Sequence, residues 1–186
     1  HDARTQVIYL KDEVGGAGLL TGLSLYVVQA PGQTMHAWTI RLKHTSLSSY
    51  GWCAWQTNGW TVVAQTNLTV SETGWVTFDF AAPFLYNGAD NLLVDFSFNN
   101  SSWSSDGYCW CLATAANRSL CYRTDSLYGD PLDWTGASPY GDLSADVPVI
   151  RLEKHAAFPL APSETGAFIA GLWSGSLSLS ELATNI

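Results

Sequence analysis

The chain has 186 residues, of which 47% are hydrophobic and 13% charged, and its net charge is −8. The acidic balance argues against nucleic acid as a partner. The lack of an apolar run of about 18 residues argues against a segment inserted in a membrane. Because Ser, Thr, Asn and Gly supply most of the polarity, the composition is typical of a secreted β-protein with one hydrophobic core.

Nearly every segment has the residue pattern of a β-strand, and no stretch shows a sustained helical period. In chain order, the predicted strands are 5–14, 18–29, 36–45, 60–70, 74–84, 91–99, 119–126 and 147–154. The third strand alternates most clearly, with Trp38, Ile40 and Leu42 on one face and polar side chains on the other. Short strands about ten residues apart predict an all-β, antiparallel two-sheet β-sandwich, and their number favours a jelly-roll-like topology.

The organisation changes near residue 155. Residues 1–155 are predicted to form the sandwich, and the Ala- and Pro-rich segment 156–163 to form a linker. The segment 164–186, which contains "GAFIAGLWSGSLSLSELATNI", is apolar and strand-like but too short to be a domain. It is therefore either a docked or swapped strand or the truncated start of a following domain.

Four cysteines, at positions 53, 109, 111 and 121, lack the paired spacing of a zinc site. An even number in a secreted-looking chain predicts two disulfides instead. Cys109 and Cys111 are too close to bridge one another in an extended strand. Each would then pair with Cys53 or Cys121, and the favoured pairing is Cys53–Cys109 with Cys111–Cys121.

Tryptophans are concentrated in "GWCAWQTNGW", residues 51–60, and "SSWSSDGYCWC", residues 101–111. Trp38 and Trp75 alternate with polar residues in strands and are predicted to lie in the core, while Trp134 is predicted to pack under a loop. The others lie among Gly, Ser, Asn and Cys, where an exposed indole offers a flat surface to a sugar ring. The predicted ligand-binding residues are Trp52, Trp55, Trp60, Trp103, Tyr108, Trp110, Gln56, Asn58 and Asp106. The alternative interpretation is a small secondary core in which tryptophans and disulfides pack under long loops.

The segment "TDSLYGDPLDW" carries Asp125, Asp130 and Asp133. Calcium binds six to eight oxygens from loops of this kind, so these residues are candidate ligands of a structural calcium ion. The alternative is that the aspartates cap turns, which Asp-Pro and Gly-Asp pairs commonly do. No other cofactor is predicted.

Catalysis has little support in the sequence. There is no G-x-S-x-G motif, and nothing places a histidine between a serine and a carboxylate. The loop aspartates are too many and too dispersed to single out a pair of glycosidase carboxylates. We therefore expect a protein that is not an enzyme.

Four stretches together resemble a known module: "RTQVIYLKDEVGGAGLLTGLSLYV", "WTIRLKHTSLSSY", "GWVTFDFAAPFLYNGADNLLVDFSFNNSS" and "YGDPLDW". They are similar to a recurring jelly-roll-like β-sandwich of large secreted multidomain bacterial proteins, often followed by immunoglobulin-like segments. The resemblance covers roughly residues 4–153. It implies an extracellular or cell-surface location and no catalytic activity of the module's own. The cysteines and the tryptophans at 52, 55, 103 and 110 depart from the commoner pattern of the module.

Two functions follow as hypotheses. The first is a non-catalytic extracellular module that binds a polysaccharide or other glycan through exposed tryptophans on disulfide-stapled loops. The second is a structural or adhesive subunit of a bacterial surface protein or filament, in which residues 164–186 add a strand to a neighbouring subunit.

Overall fold

The computed structural model describes residues 1–103, 105–125, 128–136 and 138–156. These residues form the predicted antiparallel β-sandwich of two main sheets. The predicted linker beyond Ala156 and the extension 164–186 lie outside the described residues. Among the described residues, no helix has the length and apolar character needed to cross a bilayer.

The larger sheet has six strands in the spatial order β10-β9-β1-β6-β3-β4. Their bounds are β1 Asp2–Tyr9, β3 Met35–Thr45, β4 Thr61–Leu68, β6 Asn91–Asn99, β9 Ser119–Thr124 and β10 Asp142–Ser144. The central strand β1 pairs with β6 on one side and β9 on the other, and both pairs are antiparallel.

The smaller sheet has the order β12-β2-β5. Its strands are β2 Gly18–Gln29, β5 Gly74–Tyr86 and β12 Ile150–Ala156, and the short β7, Tyr108–Cys109, pairs with the end of β2. A separate two-stranded ladder joins β8, Cys111–Ala113, to β11, Asp146–Pro148.

Two short helical turns interrupt the strands. One, α1, spans Lys11–Val14, where the sequence predicted a continued strand. The chain turns there because the Glu13 carboxylate accepts a hydrogen bond from the Leu10 N–H and caps the turn. The other is a single 3₁₀ turn, Pro131–Asp133.

The main core lies between the two sheets and is built mostly by alternation, which β-bulges interrupt in β2 and β3. Trp38, Ile40 and Leu42 of β3 all point into it, as predicted. In β1, Val7 and Tyr9 point into the same core, whereas Ile8 points to the other face of the larger sheet.

A second, smaller core lies on the outer face of the larger sheet. It forms under the loop 46–60 and the described part of the segment 125–141, and it contains Ile8, Tyr50, Trp55, Leu93, Leu120 and Trp134. The larger sheet is therefore buried on both faces, although antiparallel sheets commonly leave one face to solvent.

Candidate functional site

The first tryptophan-rich segment, 51–60, is mostly structural. Trp55 is only 4% exposed, and its indole N–H donates to the Pro139 carbonyl oxygen at 2.9 Å. Its ring lies 5.9 Å from that of Trp134, which is itself buried as predicted. The prediction that Trp55 binds a ligand is therefore wrong, and the secondary-core interpretation is correct for this residue.

A buried charge cluster explains why the loops close over this face. The Arg4 guanidinium contacts the Asp95 carboxylate at 2.9 Å, and Arg41 contacts the same carboxylate. Arg4 also donates to the carbonyl oxygens of Pro131 and Trp134, at 3.0 and 2.8 Å, and its Cζ lies 4.8 Å from the centre of the Trp55 ring. Because a buried guanidinium needs hydrogen-bond acceptors, these contacts with Arg4 stabilise the loop in its position over the sheet.

The loop is also held against the larger sheet by contacts of Gln56, Asn58 and Trp60. The Gln56 backbone exchanges two hydrogen bonds with the Gln6 side chain, each 2.9 Å long. The Asn58 carbonyl oxygen accepts from Lys43 at 2.9 Å. Trp60 is partly buried, donates to the Gln56 carbonyl oxygen at 3.0 Å and lies under the cations of Arg41 and Lys43. Trp60 and the polar backbone groups of this segment are thus committed to the fold.

The four cysteines are unbonded, so neither predicted disulfide is present. Cys53 packs against the second core, on the outer face of the larger sheet, whereas Cys109 packs against the main core on its inner face. A whole sheet separates these two thiols, which rules out the first predicted pair. The second predicted pair, Cys111 and Cys121, is unbonded as well; burial, followed by the charges of Asp146 and Cys121, raises the pKa of Cys111.

The second tryptophan-rich segment behaves differently and produces an exposed aromatic surface. Cys109 points into the main core, so alternation turns Tyr108 and Trp110 outward. The Trp110 N–H donates to the Tyr26 carbonyl oxygen at 2.8 Å, which places Trp110 beside Tyr26 of β2. Tyr26 pairs in turn with Trp75 of β5, and their rings meet edge to face at 5.3 Å.

We call these four residues, Tyr26, Trp75, Tyr108 and Trp110, the aromatic strip. Tyr26, Tyr108 and Trp110 are 39, 51 and 55% exposed. Trp75 is partly exposed rather than in the core as predicted, and the Arg151 guanidinium lies 3.9 Å from its ring centre. The sequence already contained this signal, because Trp75 alternates with Val76 and Phe78, which pack on the core.

Polar groups border the aromatic strip. At one end, Tyr108 donates a hydrogen bond to the Asp106 carboxylate at 3.1 Å, and Asp106 pairs with Arg123. Hydrogen bonds from Arg123 and Tyr108 lower the pKa of Asp106, so this carboxylate is ionised at neutral pH. Next to the strip, the hydroxyls of Ser24 and Thr77 hydrogen-bond to each other at 2.8 Å.

The remaining predicted residues lie apart from the strip. Trp52 is 83% exposed but belongs to the loop over the larger sheet, on the opposite face of the sandwich. Trp103 is exposed on the loop that precedes β7, at the mouth of a cleft between the two sheets. One ligand cannot contact Trp52 and Trp110 together, so the predicted site divides.

The predicted calcium ligands have other roles in the structure. Asp130 caps the 3₁₀ turn by accepting from the Leu132 N–H at 2.9 Å, and Asp125 pairs with the His1 amine at 2.7 Å. Asp133 lies in the same turn. In the part of the chain that the structure describes, no three His, Cys, Asp or Glu side chains group as a metal site. A calcium ion at these residues stays a prediction.

Within the residues that the structure describes, the fold and the surface define an all-β sandwich with one outer face covered by loops and one outer face that is aromatic and exposed. Comparison with protein-family models, with curated proteins and with solved structures found no match.

Proposed function

We propose that this protein is a secreted, non-catalytic module that binds glycans along the aromatic strip. The observation that carries the proposal is the outward placement of Tyr26, Tyr108 and Trp110 side by side on neighbouring strands. The resemblance to β-sandwich modules of secreted multidomain bacterial proteins is consistent with this function.

The chemistry of the strip suits a sugar. The C–H face of a pyranose is apolar and flat, and it covers an aromatic ring without desolvating a charge. Hydroxyl groups at the edge of the sugar need hydrogen-bond partners, which the Asp106 carboxylate and the Arg151 guanidinium supply at the two ends of the strip.

Backbone pairing takes the place of the predicted disulfide staples. Three strip residues stand on strands held by the pairing of β2 with β5 and β7, and Trp110, just after β7, is held by its backbone hydrogen bond to Tyr26. Residues on strands lose little freedom when a ligand binds, so the surface is preorganised without any sulfur bridge. One such site gives affinities of about micromolar to millimolar, and repeated modules raise them by avidity.

A glycan array followed by isothermal titration calorimetry tests the proposal. We expect Trp110→Ala to weaken binding about tenfold or more, equivalent to about 1.4 kcal/mol. Trp52→Ala is the matched control, since it removes an even more exposed indole from the opposite face, and it should bind like the unaltered protein. The proposal fails if no glycan binds, or if Trp110→Ala and Trp52→Ala bind equally.

One observation favours the structural-subunit alternative. Leu112, two residues beyond Trp110 along the same extended segment, is 59% exposed and aliphatic. An aliphatic side chain beside the strip suits a protein partner better than a sugar. Analytical ultracentrifugation separates the two functions: self-association that Leu112→Ser abolishes, without glycan binding, would support the subunit.

A further inference from the structure

The main core is fully buried in its middle and opens into a cleft at one end. Leu20, Leu23, Ile40, Leu42, Leu92 and Val94 are 0% exposed. Towards the end where β2 finishes and β1 begins, Leu25, Val27, Met35, Trp38, Phe78 and Phe96 are each 5–8% exposed. Tyr9, Val14, Phe84 and Val147, elsewhere in the core, have a similar exposure of 6–7%, so the cleft and not the exposure alone distinguishes this end.

The opening is a cleft of about 830 Å³. Its depth is apolar and largely aromatic, with Trp38, Phe78 and Phe96 in its walls. Its mouth is polar and includes Trp103, Asp106 and Arg123. A cleft of this size with apolar walls and a few polar groups at one end is typical of a small-molecule site.

A wet apolar cleft has a physical cost. Apolar surface that stays in contact with water lacks the stabilisation of about 25 cal/mol per Å² that buried apolar surface provides. Neighbouring strands in the same sheets pack without any exposure, so the sandwich is able to close. A ligand with an apolar body recovers this free energy when it displaces the water.

The walls indicate what kind of body fits. The Trp38 ring lies 5.6 Å from Phe78 and 6.0 Å from Phe96, centre to centre, so three rings line one region. Aromatic walls prefer a flat ring in stacked or edge contact. Met35 beside them is a flexible side chain that adapts to the shape of an inserted group.

We propose that the cleft binds a small aromatic molecule that carries an oxygen substituent, with its ring between the two sheets and its polar end at Asp106 and Arg123. The cleft meets the aromatic strip at Asp106 and Tyr108, but its apolar depth lies between the sheets, whereas Trp110 and Tyr26 point outward. The proposal therefore stands whether or not the strip binds glycans.

The test uses 2-naphthol as the ligand and the full chain. Binding is followed by tryptophan fluorescence and confirmed by calorimetry, and decanoate serves as an alkyl-chain comparison. We expect one 2-naphthol per protein and at least tenfold weaker binding of decanoate. Equal or tighter binding of decanoate would overturn the aromatic assignment, and no saturable binding of 2-naphthol would overturn the site.

Two variants fill the cleft. Val70→Phe places a ring from a loop and Val27→Phe from strand β2, and each should reduce 2-naphthol affinity at least tenfold. Both should keep a melting temperature equal to or above that of the unaltered protein, because the added ring occupies an open space. If Val27→Phe misfolds, the 2-naphthol affinity of Val70→Phe alone tests the proposal. Full 2-naphthol binding by a folded Val70→Phe variant would contradict the proposal.

Trp110→Ala separates this proposal from the glycan proposal. It lies outside the cleft lining and should leave 2-naphthol binding unchanged. Loss of 2-naphthol binding in Trp110→Ala would mean that the probe binds the aromatic strip instead, which would refute the cleft.

Discussion

The two outer faces of the sandwich carry similar residues that differ in burial. Each face places an arginine over a tryptophan: Arg4 over Trp55 at 4.8 Å on the larger sheet, and Arg151 over Trp75 at 3.9 Å on the smaller sheet. The first pair is buried beneath two loops, whereas the second remains at the surface. The density of tryptophan alone therefore does not say whether a surface binds a ligand.

The difference comes from the polar residues around each pair. The larger sheet places Arg4, Arg41 and Asp95 on its outer face, and these charges demand partners that loop carbonyls provide. The smaller sheet places Ser24 and Thr77 there, which satisfy each other. A face whose polar groups are already paired needs no covering loop, so its aromatic side chains stay available.

Removing the central charge should break the covered face. We expect Asp95→Ala to lower the free energy of unfolding by about 3–5 kcal/mol, because it leaves two guanidinium groups buried without a carboxylate. Asp79→Ala, an exposed carboxylate on the outer face of the smaller sheet, is the control and should change stability by about 0.5 kcal/mol or less. Urea denaturation measures both, and equal losses would refute the asymmetry.

Removing one tryptophan from each face should sharpen the comparison. Trp55→Ala is expected to cost about 3 kcal/mol, because it empties a site in the second core beside Trp134. Trp110→Ala should cost about 1 kcal/mol or less, because its ring is half exposed. Thermal or urea unfolding of the two variants gives the difference, and a larger loss in Trp110→Ala would show that the strip is structural.

An ion pair outside both faces provides a pH reference. Burial would raise the pKa of Glu13, but hydrogen bonds from Arg118 and the Leu10 N–H outweigh it and lower that pKa. The stabilisation is therefore present above the ordinary glutamate value of about 4.3 and is lost as pH falls through the folded value. Glu13→Gln should be less stable than the unaltered protein by about 1 kcal/mol at pH 7, and the gap should close by about pH 3. A gap that widens on acidification would contradict this assignment.

The smallest expected effect concerns the thiols, which lie on different sides of the larger sheet. Burial raises the pKa of Cys109 to about 11, so little thiolate exists at neutral pH. We expect iodoacetamide to modify Cys109 slowly at pH 7.5 and much faster after unfolding, as measured by mass spectrometry. All four thiols should react once the chain is unfolded without reductant, and a recovered disulfide peptide would contradict the unbonded state.

The fold was largely predictable because alternation is a local property. The pattern of Trp38, Ile40 and Leu42 identifies a core face from β3 alone, and the structure confirms it. The same rule, applied to Trp75, Val76 and Phe78, would have placed Trp75 outside. The helical turn at Lys11–Val14 was missed because Glu13 caps it over three residues within an otherwise extended apolar pattern.

The candidate site was only partly predictable. Tyr108, Trp110 and Asp106 lie at or beside the exposed surface, but Trp55 and Trp60 serve the fold. The burial of these two indoles depends on Arg4 and Asp95, which are 91 positions apart in the chain. The disulfide pairing failed for a similar reason, since Cys53 and Cys109 are distant in the chain and only tertiary packing shows that they lie on opposite faces of the larger sheet.

The sequence by itself determined an all-β sandwich, since strand period and turn residues act over a few neighbouring positions. Only the tertiary structure decided which indoles are buried, which cysteines are apart and where the two sheets separate. Those outcomes depend on pairing between distant strands, which brings Arg4, Arg41 and Asp95 together on one face, where carbonyl oxygens of the covering loop bind the Arg4 guanidinium.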